Sequence, residues 1–94
     1  KLFGPQNDNY LSFPTEGYTL ALDFKNQPSI FPLLDELDRI VLDLKGKIYL
    51  AKDARMTKEH FEYTYENLQT FSSLRQEYGM RKKLKSIQSQ RLSL

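Results

Sequence analysis

The chain has no cysteine, which removes disulfides and thiolate metal sites as means of holding it together. It has no apolar run near the ~20 residues that a membrane-spanning helix needs. A Gly-rich dinucleotide fingerprint, a P-loop, a nucleophile elbow and zinc-ligand spacing are all missing. The single histidine, His60, follows Lys58 and Glu59 and has no partners at metal spacing, so a place on a polar helix surface is expected for it. The opening Lys1-Leu2-Phe3-Gly4 carries neither an initiator Met nor a signal-peptide pattern, and the expectation is a piece of a longer protein. Acidic residues are missing from residues 79–94, which hold the cluster Arg81, Lys82, Lys83 and Lys85.

What remains is ordinary for a soluble domain: 94 residues, 39 % hydrophobic, 28 % charged. One small unit of this length is expected to bury roughly two-thirds of its unfolded surface and to be marginally stable. The net charge of +2 is too small to imply a polyanion partner. Tyr63 and Tyr65 do not fall in a strand motif of the RNA-binding kind, so no nucleic-acid partner is expected.

Hydrophobic periodicity organises the chain. Tyr18, Leu20, Leu22 and Phe24 alternate with Thr19, Ala21 and Asp23, which predicts a half-buried strand over 18–24. Ser29 reads as an N-cap, with Pro32 in the first turn and Ile30, Leu33, Leu34, Leu37, Ile40, Val41 and Leu44 at helical spacing. Asp35, Glu36, Asp38 and Arg39 form the polar face, expected to be solvated, and Gly46 reads as the residue that ends the helix. A second strand is predicted over Lys47–Ala51. Thr57 caps a short helix, Asn67–Tyr78 forms another that stops at Gly79, and residues 80–92 form a last one. The class is α+β: a small antiparallel sheet covered on one face by a helix packed on Leu20 and Leu22, followed by C-terminal helices.

The segment Gly46-Lys47-Ile48-Tyr49-Leu50-Ala51-Lys52-Asp53 carries the chemistry. A strand there sends Ile48 and Leu50 to one face and Tyr49 and Ala51 to the other, and delivers Lys52 where the backbone turns. A phenol and an ammonium at a strand exit can serve a ligand; a lysine that points at water is the structural alternative. Thr19, Ala21, Asp23, Tyr49 and Ala51, small and polar on one sheet face, leave room either for solvent or for a substrate or cofactor cleft.

This segment, with Leu34-Asp35-Glu36-Leu37-Asp38-Arg39 and Leu11-Ser12-Phe13-Pro14 before it, resembles the C-terminal region of the FAD-linked oxidases of the vanillyl-alcohol-oxidase superfamily. The resemblance implies an oxidoreductase that takes hydride from a sugar or sugar-lipid hydroxyl. It implies FAD held mainly by other segments of the same polypeptide, with residues 1–46 in the substrate (cap) domain and 47–94 returning to the FAD domain. It places Lys52 and Tyr49 as catalytic and cofactor-binding residues, and Lys1, Phe3, Thr19 and Ala21 on the substrate side. Ala21 stands where some members carry a cysteine, so no thiol adduct can form there. Glu77-Tyr78 stands where the family's tail has Asp-Pro before its final glycine. The isolated chain is then expected to be inactive. Its partners are an FAD-binding domain and a small-molecule or lipid-linked sugar; a partner reductase and a membrane surface stay open, and the compartment is left unknown by the sequence, with a cytoplasmic or membrane-associated one expected. The rival from another class is a free-standing α+β binding module whose basic C-terminus meets an anionic partner. The parent reading frame discriminates the two: a few hundred further residues with flavin-binding segments favour the enzyme.

Overall fold

The computed structural model describes residues 1–94 and has the α+β class. Two short strands, β1 (Leu2–Phe3) and β2 (Gly17–Tyr18), pair antiparallel with Leu2 opposite Tyr18 and Phe3 opposite Gly17. Five helices follow: α1 (Phe31–Asp43), α2 (Lys58–Thr64), α3 (Leu68–Glu77), α4 (Met80–Lys83) and α5 (Ile87–Arg91). None is long and apolar enough to cross a membrane.

Several local expectations need correction. The strand expected over 18–24 is confined to Gly17–Tyr18, and the rest of that segment is irregular. Leu20 is 80 % exposed and Leu22 is also exposed, so they do not form the bed on which α1 packs. No strand forms over 47–51; a 3-10 turn, Leu50–Lys52, takes its place. Ser29 lies inside a 3-10 turn, Pro28–Ile30, and makes no capping bond. The expected last helix is two, broken where Leu84 turns extended and restarted by a reciprocal Ser86–Ser89 capping box.

The end of α1 shows why sequence misplaced one residue. The left-handed position is Lys45, at φ 56°, not Gly46. The Lys45 N–H donates to Leu42 O at 2.8 Å and the Gly46 N–H to Val41 O at 2.7 Å, a Schellman closure. Gly46 is needed for close approach instead: a Cβ there would sit 2.9 Å from Val41 Cγ1. Thr57 caps α2 as expected, accepting from the His60 N–H at 3.1 Å, and Gly79 at φ 64° terminates α3.

The core is small and belongs to the second half. Met56, Phe61, Tyr65 and Leu92 are the buried hydrophobics, with Leu11, Ile48, Leu50, Leu68 and Leu94 packed around them. The α1 helix contributes no fully buried residue; Leu34, Leu37, Val41 and Leu42 are half-buried while Leu33, Ile40 and Leu44 face out. The molecule exposes 7567 Å². A folded monomer of 11.1 kDa is expected to expose about 5,700 Å². The radius of gyration, 14.4 Å, likewise exceeds the value of about 12 Å for a domain of this length. The chain alone thus buries about half of its unfolded surface, less than the two-thirds expected from its size.

Burial ranks the substitutions. Phe61→Ala removes the most enclosed side chain and should cost about 3–5 kcal/mol, enough to abolish cooperative unfolding in a domain this small. Leu37→Ala, at a half-buried site, should cost less than ~2 kcal/mol. Urea melts of the two variants check the order, and equal losses would mean that α1 belongs to the core.

Candidate functional site

The strand pair sets one side of the candidate site. The Thr19 N–H donates to Lys1 O at 2.8 Å, which extends the β1–β2 ladder by one residue and holds Lys1, Phe3 and Thr19 together. Lys1 Nζ lies over the Phe3 ring at 5.0 Å. Phe3 meets Phe13 edge to face at 6.0 Å, and Phe13 meets Tyr49 at 5.0 Å. The result is a surface ridge, Lys1–Phe3–Phe13–Tyr49, with Tyr49 49 % exposed at its end. Phe13 is the link that sequence reasoning did not single out, although Leu11-Ser12-Phe13-Pro14 was part of the resemblance.

Lys52 leaves the same segment three residues later. Its main-chain N–H donates to Tyr49 O at 3.3 Å within the 3-10 turn, so the turn, not a strand exit, sets its position relative to Tyr49. Its side chain is exposed and makes no ion pair, and no hydrogen bond joins it to the Tyr49 hydroxyl. Ala21 is exposed on the irregular segment after β2. The structure therefore brings Lys1, Phe3, Thr19 and Tyr49 onto one ridge, sets Lys52 next to it in sequence, and leaves Ala21 open to solvent.

An ionic junction supports this segment from behind. Arg55 donates to both oxygens of Asp38, at 2.7 and 2.8 Å, to Asp35 Oδ1 at 2.9 Å and to Leu34 O at 3.0 Å. Asp35 and Asp38 were expected on a solvated face; Asp38 is instead mostly buried in a bidentate pair, while Glu36 stays exposed. On the other side Arg91 donates to Asp53 Oδ2 at 2.8 Å and to Met56 O at 2.6 Å, and Gln88 donates to Leu50 O. Asp53 Oδ1 accepts from the N–H groups of Arg55 and Met56 at 3.0 and 2.8 Å. Arg55, Gln88 and Arg91 carry no sequence signal for these roles, because each partner lies at least seventeen residues away.

Lys47 is built in as well. Its Nζ reaches Ser12 O at 3.2 Å and Gln6 Oε1 at 3.4 Å, and lies 5.6 Å over the Tyr65 ring. The Tyr65 hydroxyl in turn donates to Ile48 O at 2.9 Å.

Three groups behind the ridge titrate away from their ordinary values. Burial pushes the Asp53 carboxyl up, but the Arg55 N–H, the Arg91 guanidinium and the Met56 N–H outweigh it and hold the group below 3.8. His60 is buried, against the surface place expected for it; burial lowers it below 6.5, and its Nε2 has no partner. Burial, helped by the negative charge of Asp53, pushes the Tyr65 phenol up to about 12.

The ridge is open. A cleft of about 500 Å³ lies elsewhere, among Lys58, Glu62, Tyr65, Leu68, Arg81 and Leu94. A second, of about 330 Å³, lies among Gln6, Thr15, Lys47 and Tyr63. None of Lys1, Phe3, Thr19, Ala21, Tyr49 and Lys52 lines either one. An exposed ammonium, a half-exposed phenol and an aromatic surface fit the polar edge of a flavin, and nothing beside them could enclose a dinucleotide.

Similarity to part of one known oxidase suggests an oxidase-related origin. No family model matches the chain. It is 40 % identical over 75 residues to decaprenylphosphoryl-beta-D-ribose oxidase of Mycolicibacterium smegmatis. It is 37 % identical over 76 residues to an uncharacterized protein in the mprA 5' region of Streptomyces coelicolor. Each match covers 80 % of this chain, but the chain spans only 16 % of the first relative and 21 % of the second.

The titrations give stability a pH profile. The lowered His60 pKa means that the unfolded chain takes up a proton first: stability is full above pH 6.5 and falls as pH drops below it. Asp53 adds a second loss, beginning below pH 3.8 and running down through its depressed pKa. Tyr65 acts at the other end, with stability lost as pH rises from 10 through about 12. Thermal melts across pH should show this plateau, and His60→Gln should flatten the slope between neutrality and pH ~5.

Proposed function

We propose that this chain is the substrate-facing part of an FAD-dependent oxidase that acts on a sugar or sugar-lipid hydroxyl. The identity to an oxidase over four-fifths of the chain carries the reading. The open ridge supports it: a surface that ends in Tyr49 and is followed by an unpaired Lys52 is half of a cleft, to be completed by the FAD-binding domain of the same polypeptide. The free-standing module keeps Lys82, Lys83 and Lys85, all exposed, but Arg81 is drawn onto Ser93 O at 3.2 Å and no further observation favours that reading.

The flavin, when bound, supplies the acceptor for the hydride that leaves the carbinol carbon. The residues of this chain bind and orient. Lys52 places a positive charge where negative charge develops, a stabilisation that counts for more once the cleft has closed and excluded water. Tyr49, backed by Phe13, holds its hydroxyl at the end of the ridge to orient the substrate oxygen. Lys1, Phe3, Thr19 and Ala21 form the substrate side, apolar at Phe3 for a lipid-linked or ring face and polar at Lys1. A partner reductase would meet the assembled flavoprotein, and a cytoplasmic or membrane-associated place suits a lipid-linked substrate.

Two measurements test this. The isolated 94-residue chain should form no stoichiometric, sub-micromolar FAD complex and turn over no substrate, and such a complex would sink the division of labour proposed. In the complete enzyme, Lys52→Ala should slow flavin reduction by roughly 10²–10³-fold, lowering kcat as well as kcat/KM, while the protein stays folded and keeps its FAD. Tyr49→Phe should cost less, since it removes a hydroxyl and no charge. Lys82→Ala serves as the control, because Lys47 is tied into Tyr65 and Ser12 and its removal would disturb the fold. Stopped-flow absorbance decides; a Lys52→Ala enzyme that reduces its flavin at the unaltered rate leaves Lys52 without a catalytic role.

A further inference from the structure

We infer that residues 20–24 form a β-strand in the assembled protein, paired with a strand of the larger polypeptide that continues β1 in the N-terminal direction. The inference rests on the reading of this chain as part of a longer flavoprotein.

The first observation is an unused backbone. Residues 20–26 make no hydrogen bond within the chain, by main chain or side chain, although their main chain alone holds seven donors and seven acceptors. Peptide groups in an ordered protein are paired or hydrated. Apolar side chains on every second residue hydrate poorly, and here Leu20, Leu22 and Phe24 are all exposed. Alternation with an unpaired edge is the pattern of a strand that has lost its neighbour.

The second observation is the ladder. Leu2 pairs with Tyr18 and Phe3 with Gly17, and Thr19 pairs with Lys1 through its N–H at 2.8 Å. The β2 strand thus runs past the partner that β1 can offer. Carried on in the same register, residues upstream of Lys1 fall opposite Leu20 to Phe24. Since Thr19 and Lys1 are a hydrogen-bonded pair, the next such pairs involve Ala21 and Asp23, whose N–H groups face the β1 side. Leu20, Leu22 and Phe24 direct theirs to the other edge.

The third observation is area. The exposed surface, 7567 Å², exceeds the expected ~5,700 Å² by about 1,900 Å². A standard interface takes ~800 Å² from each partner, so the excess is on the scale of an obligate contact. A chain that spans 16 % of its oxidase relative has that much polypeptide to place against it.

Hydrogen exchange compares the isolated chain with the full-length product of the parent reading frame. The amides of Ala21 and Asp23 should exchange freely in the isolated chain at every concentration and at least ~100-fold more slowly in the full-length protein. Fast exchange at both positions in the full-length protein overturns the inference. Protection only at Leu20, Leu22 and Phe24 also overturns it, because the partner then lies on the opposite edge. Protection that grows with the concentration of the isolated chain assigns the edge to a second copy and overturns it as well. The flavin absorbance of the same sample tests the oxidase reading separately: a protected, flavin-free protein keeps the strand and removes the oxidase.

Discussion

The side-chain hydrogen bonds that tie α1 and α5 to the middle of the chain converge on the short segment Leu50–Met56. Arg55 reaches back to Asp35, Asp38 and Leu34 O on α1, and Asp53, Met56 and Leu50 receive Arg91 and Gln88 from α5. The two arginines are partly shielded and grip carboxylates and carbonyls together, the arrangement in which guanidinium geometry is worth most. Because Tyr49 and Lys52 lie at the entrance to this junction, the clamp also holds the candidate site. Stability and site geometry share one set of bonds.

The ridge and the junction stand back to back, and their chemistry differs accordingly. Behind, every charge has a partner: Asp53 is held ionised by three donors and Lys47 is spread between two oxygens and a ring. In front, Tyr49 rests on Phe13 with its polar end free, and the exposed Lys52 makes no ion pair. A paired interior charge rigidifies its surroundings, whereas an unpaired surface charge is available to a ligand. The contrast separates the residues that build the site from those proposed to act in it.

Local chemistry was legible in the sequence; long-range chemistry was not. Thr57 as a cap, Gly79 as a terminator, Pro32 in the first turn of α1 and the α+β class could all be read, since each depends on a few neighbouring residues. The ridge was legible in part, through Lys1, Phe3, Thr19 and Tyr49. His60 and Asp38 were misread as surface residues because what shields them comes from elements far off in the chain. The strand over 18–24 failed for a different reason. Alternation states what a segment can pair with, and no other segment of the structure lies hydrogen-bonded beside residues 20–24.

The order of the core residues has a consequence for synthesis. Phe61 and Tyr65 leave the ribosome well before Leu92, the residue that seals them. At about 5–20 residues per second the nascent chain carries an unsealed aromatic pair for about 2–6 s. Arg91, which ties Asp53 and Met56 in place, arrives in the same final stretch. The contacts that enclose the core and fix Asp53 and Met56 can therefore form only after Arg91 and Leu92 have emerged.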